Sequence, residues 1–116
     1  MVKKRVPCGD CFRWAVQKAG ELELQGPTRV VHALISPRHY DVPKIPHAYV
    51  EFGGPQGVVY DWQREVMGLE PISIDLYEAQ MHPIQPRRYK HLEALRLSVE
   101  HGHWGPWAPW RNVKLK

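Results

Sequence analysis

The spacing of apolar residues predicts a mixture of helices and strands. From Cys11 to about Leu24, apolar residues recur every three to four positions, which is typical of a helix with one buried face. Asp10 directly precedes this run and is suited to cap the helix N-terminus. Residues 28–35 are apolar and β-branched, which favours a strand, and residues 36–45 contain two prolines and predict a loop.

Two further strand-like runs, 46–52 and 57–63, are joined by a glycine-rich segment and predict a β-hairpin. Side chains alternate between the two faces of a strand, so in each run one face is more apolar than the other. If those apolar faces pair in register, His47 lies on the same face as Asp61 and Gln63, either directly opposite or one diagonal away. The hairpin therefore predicts that these polar side chains are neighbours.

Shorter elements are predicted for the second half of the chain. They are, in order, a loop at 64–71, a helix at 73–81, an extended segment at 83–88 and a helix at 90–101. In the last helix we expect Leu92, Leu95 and Val99 to form the buried stripe, and Gly102 suits the position after the helix end. Residues 103–116 form an irregular tail, rich in tryptophan and proline near its start, and we expect its tryptophans to pack back on the domain.

Chain length and composition predict one α+β domain spanning residues 1–116. A membrane-spanning helix needs about 20 consecutive apolar residues, and every apolar run in this sequence is much shorter, so we expect no membrane partner. Residues 1–7 form a basic tail without the apolar stretch of a signal peptide, which predicts a cytoplasmic protein with reduced cysteines. The net charge of +4 is too modest to predict a nucleic-acid partner, and the sequence indicates no oligomeric state.

The candidate chemistry comes from Cys11, His47 and Asp61, in that order along the chain. A thiol at a helix start is favoured as thiolate, an imidazole can act as base and acid, and a carboxylate can orient the imidazole. Each residue alone has a structural interpretation, as a buried thiol, a strand histidine or a hairpin carboxylate. Together they predict a cysteine nucleophile.

Three accessory candidates lie near this set. Gln63 could orient the imidazole in place of Asp61. His32 could line the same cleft, although a buried, hydrogen-bonded histidine is the expected structural interpretation. Glu51 could contact a substrate or pair with a basic residue.

Cys8 and Cys11 also form a Cys-x-x-Cys pair. With His101 and His103, or with His82, they could bind zinc, but the usual second pair of cysteines is absent. A redox pair is also conceivable, yet the β-α-β order of thioredoxin-like folds is not evident. We interpret Cys8 as a bystander in the loop before the helix, and we expect no metal and no cofactor.

Several short segments resemble the papain-like, or NlpC-like and transglutaminase-like, cysteine peptidase superfamily, and more narrowly small uncharacterised proteins of bacterial and phage origin. The matching segments are 9–15 (Gly-Asp-Cys-Phe-Arg-Trp-Ala), 30–33 (Val-Val-His-Ala), 46–52 (Pro-His-Ala-Tyr-Val-Glu-Phe), 59–61 (Val-Tyr-Asp) and 102–107 (Gly-His-Trp-Gly-Pro-Trp). The resemblance implies an N-terminal helix with Cys11 packed on a small antiparallel sheet with His47 and Asp61, plus a C-terminal helix.

The same resemblance implies roles for these residues. Cys11 would be the nucleophile, His47 the general base and acid, and Asp61 the orienting group, in a hydrolase, either a peptidase or an amidase, whose thiolate attacks an amide carbonyl. Papain has a glutamine upstream of its cysteine that stabilises the oxyanion, and residues 1–10 contain none. The oxyanion would then need the Cys11 backbone N–H and a donor from the Cys8–Gly9 segment. Two alternatives stay open: a catalytically inactive relative that binds protein or nucleic acid, and a small zinc-stabilised module.

Overall fold

The structure is a computed structural model that describes residues 8–36 and 45–111. Its elements in chain order are α1 (Cys8–Leu22), β1 (Thr28–Ile35), β2 (Ile45–Phe52), β3 (Val58–Tyr60), α2 (Trp62–Val66), β4 (Ile72–Ser73), α3 (Ile74–Met81), β5 (Ile84–Tyr89) and α4 (His91–His101). The described residues confirm an α+β architecture with an antiparallel sheet. The predicted basic tail at 1–7, most of the loop at 36–45 and the last five residues of the C-terminal tail lie outside them.

The sheet has the strand order β4-β3-β2-β1-β5, and all of its strand pairs are antiparallel. The central pair, β1 and β2, runs in continuous register from Thr28↔Phe52 to Ile35↔Ile45. Strand β3 is much shorter and pairs with β2 only as far as Val50↔Tyr60. The first half of β2 is therefore not flanked by β3.

Helices cover both faces of this sheet. On one face α1 packs through Val16 and Ala19 against strand residues that include Ala48. On the other face α3 packs through Tyr77 against Tyr49 of β2. The strand alternation predicted for residues 46–52 is thus confirmed, and because both faces are covered, β1 is buried at nearly every position.

Three predicted boundaries differ from the structure. Helix α1 already includes Cys8, so Asp10 lies inside its first turn and is not the N-cap, and the predicted loop at Cys8 is helical. The predicted strand 57–63 stops at Tyr60, since the Asp61 side chain accepts a hydrogen bond from the Gln63 backbone N–H and begins α2. Residues 62–66 are therefore helical, and the loop predicted at 64–71 is wrong over its first part.

The remaining elements lie close to their predicted positions, but the buried face of α4 was predicted only in part, since Leu95 packs against the core as expected and Leu92 and Val99 do not. Ala94 is fully buried, whereas Leu92 is 76% exposed and Val99 is 83% exposed. The side of α4 that includes Ala94 packs close to α1, where a Cβ added to Gly20 would lie only 2.9 Å from His91 Nε2. A small residue at Ala94 permits this close approach, and the larger Leu92 and Val99 lie on the exposed side of the helix.

The closing tryptophans divide between core and surface. Trp107 and Trp110 pack against the core on the α1 face, as expected, while Trp104 is exposed. None of the helices in the described part of the chain is long and apolar enough to cross a membrane.

Candidate active site

A thiol, an imidazole and a carboxylate from three separate elements meet at one end of the sheet. Cys11 is the fourth residue of α1, His47 is the third residue of β2, and Asp61 directly follows β3. The Cys11 Sγ lies 3.5 Å from His47 Nδ1. His47 Nε2 lies 2.7 Å from Asp61 Oδ2. The structure therefore brings together the three residues that the sequence singled out.

The sheet register explains why the histidine and the aspartate are neighbours. The last β2–β3 pair is Val50↔Tyr60, so continuing that register places Asp61 opposite Tyr49 and one diagonal from His47. Residues of one face lie two apart along a strand, which puts both polar side chains on the same face. Because β3 ends at Tyr60, the edge of β2 near His47 stays open to the Cys11 side chain.

Three hydrogen bonds hold the Asp61 carboxylate. Its Oδ1 accepts the Gln63 backbone N–H at 2.9 Å, as the N-cap of α2. Its Oδ2 accepts both the His47 Nε2–H and the Tyr77 hydroxyl, the latter at 2.5 Å. Burial alone would raise the pKa of the Asp61 carboxyl, but the His47 charge and the hydrogen bonds from His47, Tyr77 and Gln63 together lower the pKa below its ordinary value.

These bonds determine the tautomer of the imidazole. An ionised Asp61 only accepts hydrogen bonds, so the His47 Nε2 bears a proton. The Nδ1 that faces Cys11 then either accepts the thiol proton or donates a proton to the thiolate. One imidazole is thus placed to exchange a proton with the thiol while its other nitrogen is fixed by the carboxylate.

The three side chains are shielded from solvent. Cys11 is 1% exposed, His47 is 2% exposed and Asp61 is 4% exposed. Burial strengthens the electrostatic coupling between them, because water screens it less. It also means that any reagent would reach the Cys11 sulfur only after neighbouring residues move.

Two of the accessory candidates lie elsewhere. The Gln63 side chain is exposed, and only its backbone N–H contacts Asp61, so the amide does not orient the imidazole as hypothesised. Glu51 forms a two-point ion pair with Arg88, with N–O distances of 2.9 and 3.1 Å. This is the basic partner that the sequence left open, on the sheet face covered by α3.

His32 is buried as expected, but the expected hydrogen bonds are absent. Neither of its ring nitrogens has a hydrogen-bond partner in the described part of the chain. The ring packs instead among aromatic side chains, with centroids 4.7 Å from Phe12, 5.1 Å from Tyr89 and 4.9 Å from Trp107. Burial, and secondarily the charge of Arg87, lowers the pKa of His32 to about 3.

Tyr77 is the residue of the site that sequence analysis missed. It lies in α3, whose helix was predicted, on the sheet face opposite α1. A tyrosine in a helix is usually a core residue, so its type and spacing gave no signal of a bond to a carboxylate 16 positions away.

The described residues contain no group of three or more histidine, cysteine, aspartate or glutamate side chains that could hold a metal ion. Among the histidines considered for zinc, His101 is the last residue of α4 and His103 follows the helix, with their ring centroids 6.0 Å apart. No family model, curated protein or solved structure matches this chain.

Proposed function

We propose that the protein is a papain-like cysteine hydrolase that cleaves amide bonds of peptides or proteins with Cys11, His47 and Asp61. The observation that supports this most directly is that one imidazole contacts two partners. The Nδ1 of His47 faces the Cys11 thiol, and its Nε2 is hydrogen-bonded to the buried Asp61 carboxylate. A nucleophile that is activated by an oriented base needs both contacts: the base must reach the nucleophile, and a third group must hold the base in place. A histidine with a purely structural role does not need a thiol and a carboxylate together.

The proposed reaction uses that geometry. His47 Nδ1 takes the thiol proton, and the Cys11 sulfur attacks the carbonyl carbon of the amide. The C–N bond then breaks as the His47 imidazolium gives the proton to the leaving nitrogen, leaving a thioester on Cys11. Water attacks the thioester while His47 accepts its proton, and the acid product leaves as the thiol is restored. Asp61 keeps the imidazole in the required tautomer and stabilises its charged form.

The position of Cys11 in α1 also supports a thiolate. It lies near the N-terminal end of a helix of 15 residues, where the helix dipole favours negative charge on a thiolate and on the oxyanion that forms next. The segment Cys8–Gly9 is helical here, so a second oxyanion donor from it would be a helix N–H group and not a loop N–H as first expected.

The closed thiol is the observation that favours the alternative, a relative that keeps the fold for binding and no longer turns over a substrate. Cys11 is 1% exposed, and a thiol that never opens to solvent reacts with nothing. The two functions differ in a measurable property, the rate at which Cys11 of the folded protein is alkylated.

The test is alkylation of the folded protein across the range from about pH 5 to about pH 9, with mass spectrometry assigning the label to Cys8 or Cys11. His47→Ala and Asp61→Asn remove the partners, and His101→Ala is the control, since this histidine is exposed near the end of α4. We expect Cys11 to react well below the pH of an ordinary thiol, and His47→Ala to remove that advantage. Slow, ordinary titration that is indifferent to His47 would refute the hydrolase and favour a binding domain.

Turnover is tested separately with a pooled peptide library incubated in isotope-labelled water. A hydrolase incorporates the label at new C-termini, and Cys11→Ser abolishes the incorporation. Reactive thiolate without label incorporation would indicate an acyltransferase or an inactive relative.

A further inference from the structure

We propose that Tyr77 is a positioning residue for the thiol site, acting through Asp61 on His47. The inference rests on the proposed function and adds a fourth side chain to it. The Tyr77 hydroxyl donates to Asp61 Oδ2, the same oxygen that accepts the His47 Nε2–H. A carboxylate oxygen shared by two donors holds each less strongly than it would hold one alone, so Tyr77 sets how strongly Asp61 stabilises the imidazolium.

The surroundings of Tyr77 keep its hydroxyl in this role. Its side chain is 1% exposed, and its ring packs against the ring of Tyr49, with centroids 4.6 Å apart and the ring planes tilted by 48°. Burial, and then the nearby Asp61 charge, raises the pKa of Tyr77 well above its ordinary value, so the phenol stays a neutral donor at any working pH. The Gln63 N–H occupies the other carboxylate oxygen. The carboxylate is therefore fixed from both sides, by α2 and by α3.

A purely structural role makes a different prediction. A buried tyrosine usually finds some partner for its hydroxyl, and any acceptor would serve packing equally well. Here the acceptor is the atom that orients the catalytic imidazole. Removing the hydroxyl while keeping the ring should therefore change the titration of His47 as well as the stability of the fold.

The variant is Tyr77→Phe, and the matched control is Tyr49→Phe. Both tyrosines are 1% exposed, both lie in the core on the α3 face, and no hydrogen bond links the Tyr49 hydroxyl to Asp61 in the described part of the chain. In the described part of the chain, the titratable groups that contact His47 include the Cys11 thiol on α1, the Asp61 carboxylate directly after β3 and the Tyr49 phenol on β2. These are the same in Tyr77→Phe, so a shift is attributable to the lost hydroxyl.

The readout is the titration of His47 followed by NMR of the folded, histidine-labelled protein. We expect Tyr77→Phe to raise the titration midpoint of His47 by about half a pH unit to one unit, because Asp61 Oδ2 then accepts a hydrogen bond from the imidazolium alone. A whole hydrogen bond to a charged group corresponds to a pKa shift of about one to two units, and only part of that is expected here. Tyr49→Phe should shift the midpoint much less, because no hydrogen bond links the Tyr49 hydroxyl to Asp61 in the described part of the chain. An unchanged midpoint in Tyr77→Phe overturns the inference.

The alkylation experiment separates this failure from failure of the proposed function. If wild-type Cys11 reacts in a His47-dependent way and Tyr77→Phe leaves the midpoint unchanged, only the positioning role is wrong. If Cys11 shows no dependence on His47, the hydrolase is wrong and the role of Tyr77 falls with it.

A measurement on the wild-type protein keeps the test decisive if Tyr77→Phe does not fold. A hydroxyl proton held by Asp61 should give a downfield, slowly exchanging resonance with a dipolar contact to the His47 Nε2–H. Absence of that resonance under conditions in which the His47 Nε2–H is observed overturns the inference.

Discussion

The buried, unbonded imidazole of His32 predicts a specific loss of stability in acid. Its ring is fully buried among Phe12, Tyr89 and Trp107, and neither nitrogen has a hydrogen-bond partner in the described residues. Within the described ranges no group compensates a charge on His32, and Arg87 opposes one. The native protein therefore keeps His32 neutral while the unfolded chain protonates it.

The magnitude follows from proton linkage. The pKa of His32 is about 3 in the folded protein and 6.5 when unperturbed. Stability from this group is fully present above pH 6.5 and is lost as the pH falls from 6.5 toward 3, because only the unfolded chain gains a proton in that window. Each pH unit costs about 1.4 kcal/mol, so lowering the pH from neutral to about 4.5 should cost about 3 kcal/mol of unfolding free energy from His32 alone.

The assay is urea unfolding of wild type and His32→Leu at about pH 7.5 and about pH 4.5. Comparing each protein with itself across pH cancels the packing change that the substitution introduces. We expect His32→Leu to lose about 3 kcal/mol less than wild type on acidification. The carboxyl of Asp61 does not interfere, because its lowered pKa places its own loss of stability below pH 3.8.

The control is His101→Gln, which removes an exposed histidine and should lose as much stability as wild type does. Equal losses in wild type and His32→Leu would refute the reasoning, since they would mean that His32 is protonated in the folded protein or finds a partner there.

Three further outcomes test the packing and the ion pair. Glu51→Gln should lower the free energy of unfolding by about 1 kcal/mol in urea titration, because Arg88 is partly exposed and water screens the pair, and it should leave Cys11 alkylation unchanged. Leu92→Gln should change stability by less than about 0.5 kcal/mol, whereas Ala94→Leu should cost about 1–3 kcal/mol in the same assay, and the reverse order would contradict the orientation of α4. Gly105→Ala should lower the melting temperature, because its Cβ would lie 2.6 Å from Cε1 of the buried His32 ring and because its φ of +119° favours glycine. An unchanged melting temperature would mean that the loop with Gly105 does not lie over His32.

Local patterning was sufficient to predict much of the candidate site. Strand alternation placed His47 and Asp61 on one face, and the hairpin register brought them within one diagonal of each other, as the structure shows. Both rules depend only on residues near in sequence and on the period of two along a strand. The helix with Cys11 was predicted for the same reason, from its period of three to four.

Asp61 shows where a local signal was overlooked. The strand-like run through residue 63 was extended too far, because aspartate is also a favoured helix N-cap and here begins α2. That turn removes the Gln63 side chain from the site and brings its N–H to the carboxylate. Two local preferences competed, and the sequence contained both.

The sequence alone determined most of the elements, though not α2 and β4, together with the faces of the central strands and three residues with the chemistry of a thiol site. Only the tertiary structure decided which face of α4 is buried, that His32 has no hydrogen-bond partner among the residues described, and that Tyr77 reaches Asp61. These features depend on how closely α4 approaches α1 and on how α3 lies against the sheet. The sizes and shapes of side chains far apart in sequence decide such contacts, and no periodicity along the chain encodes them.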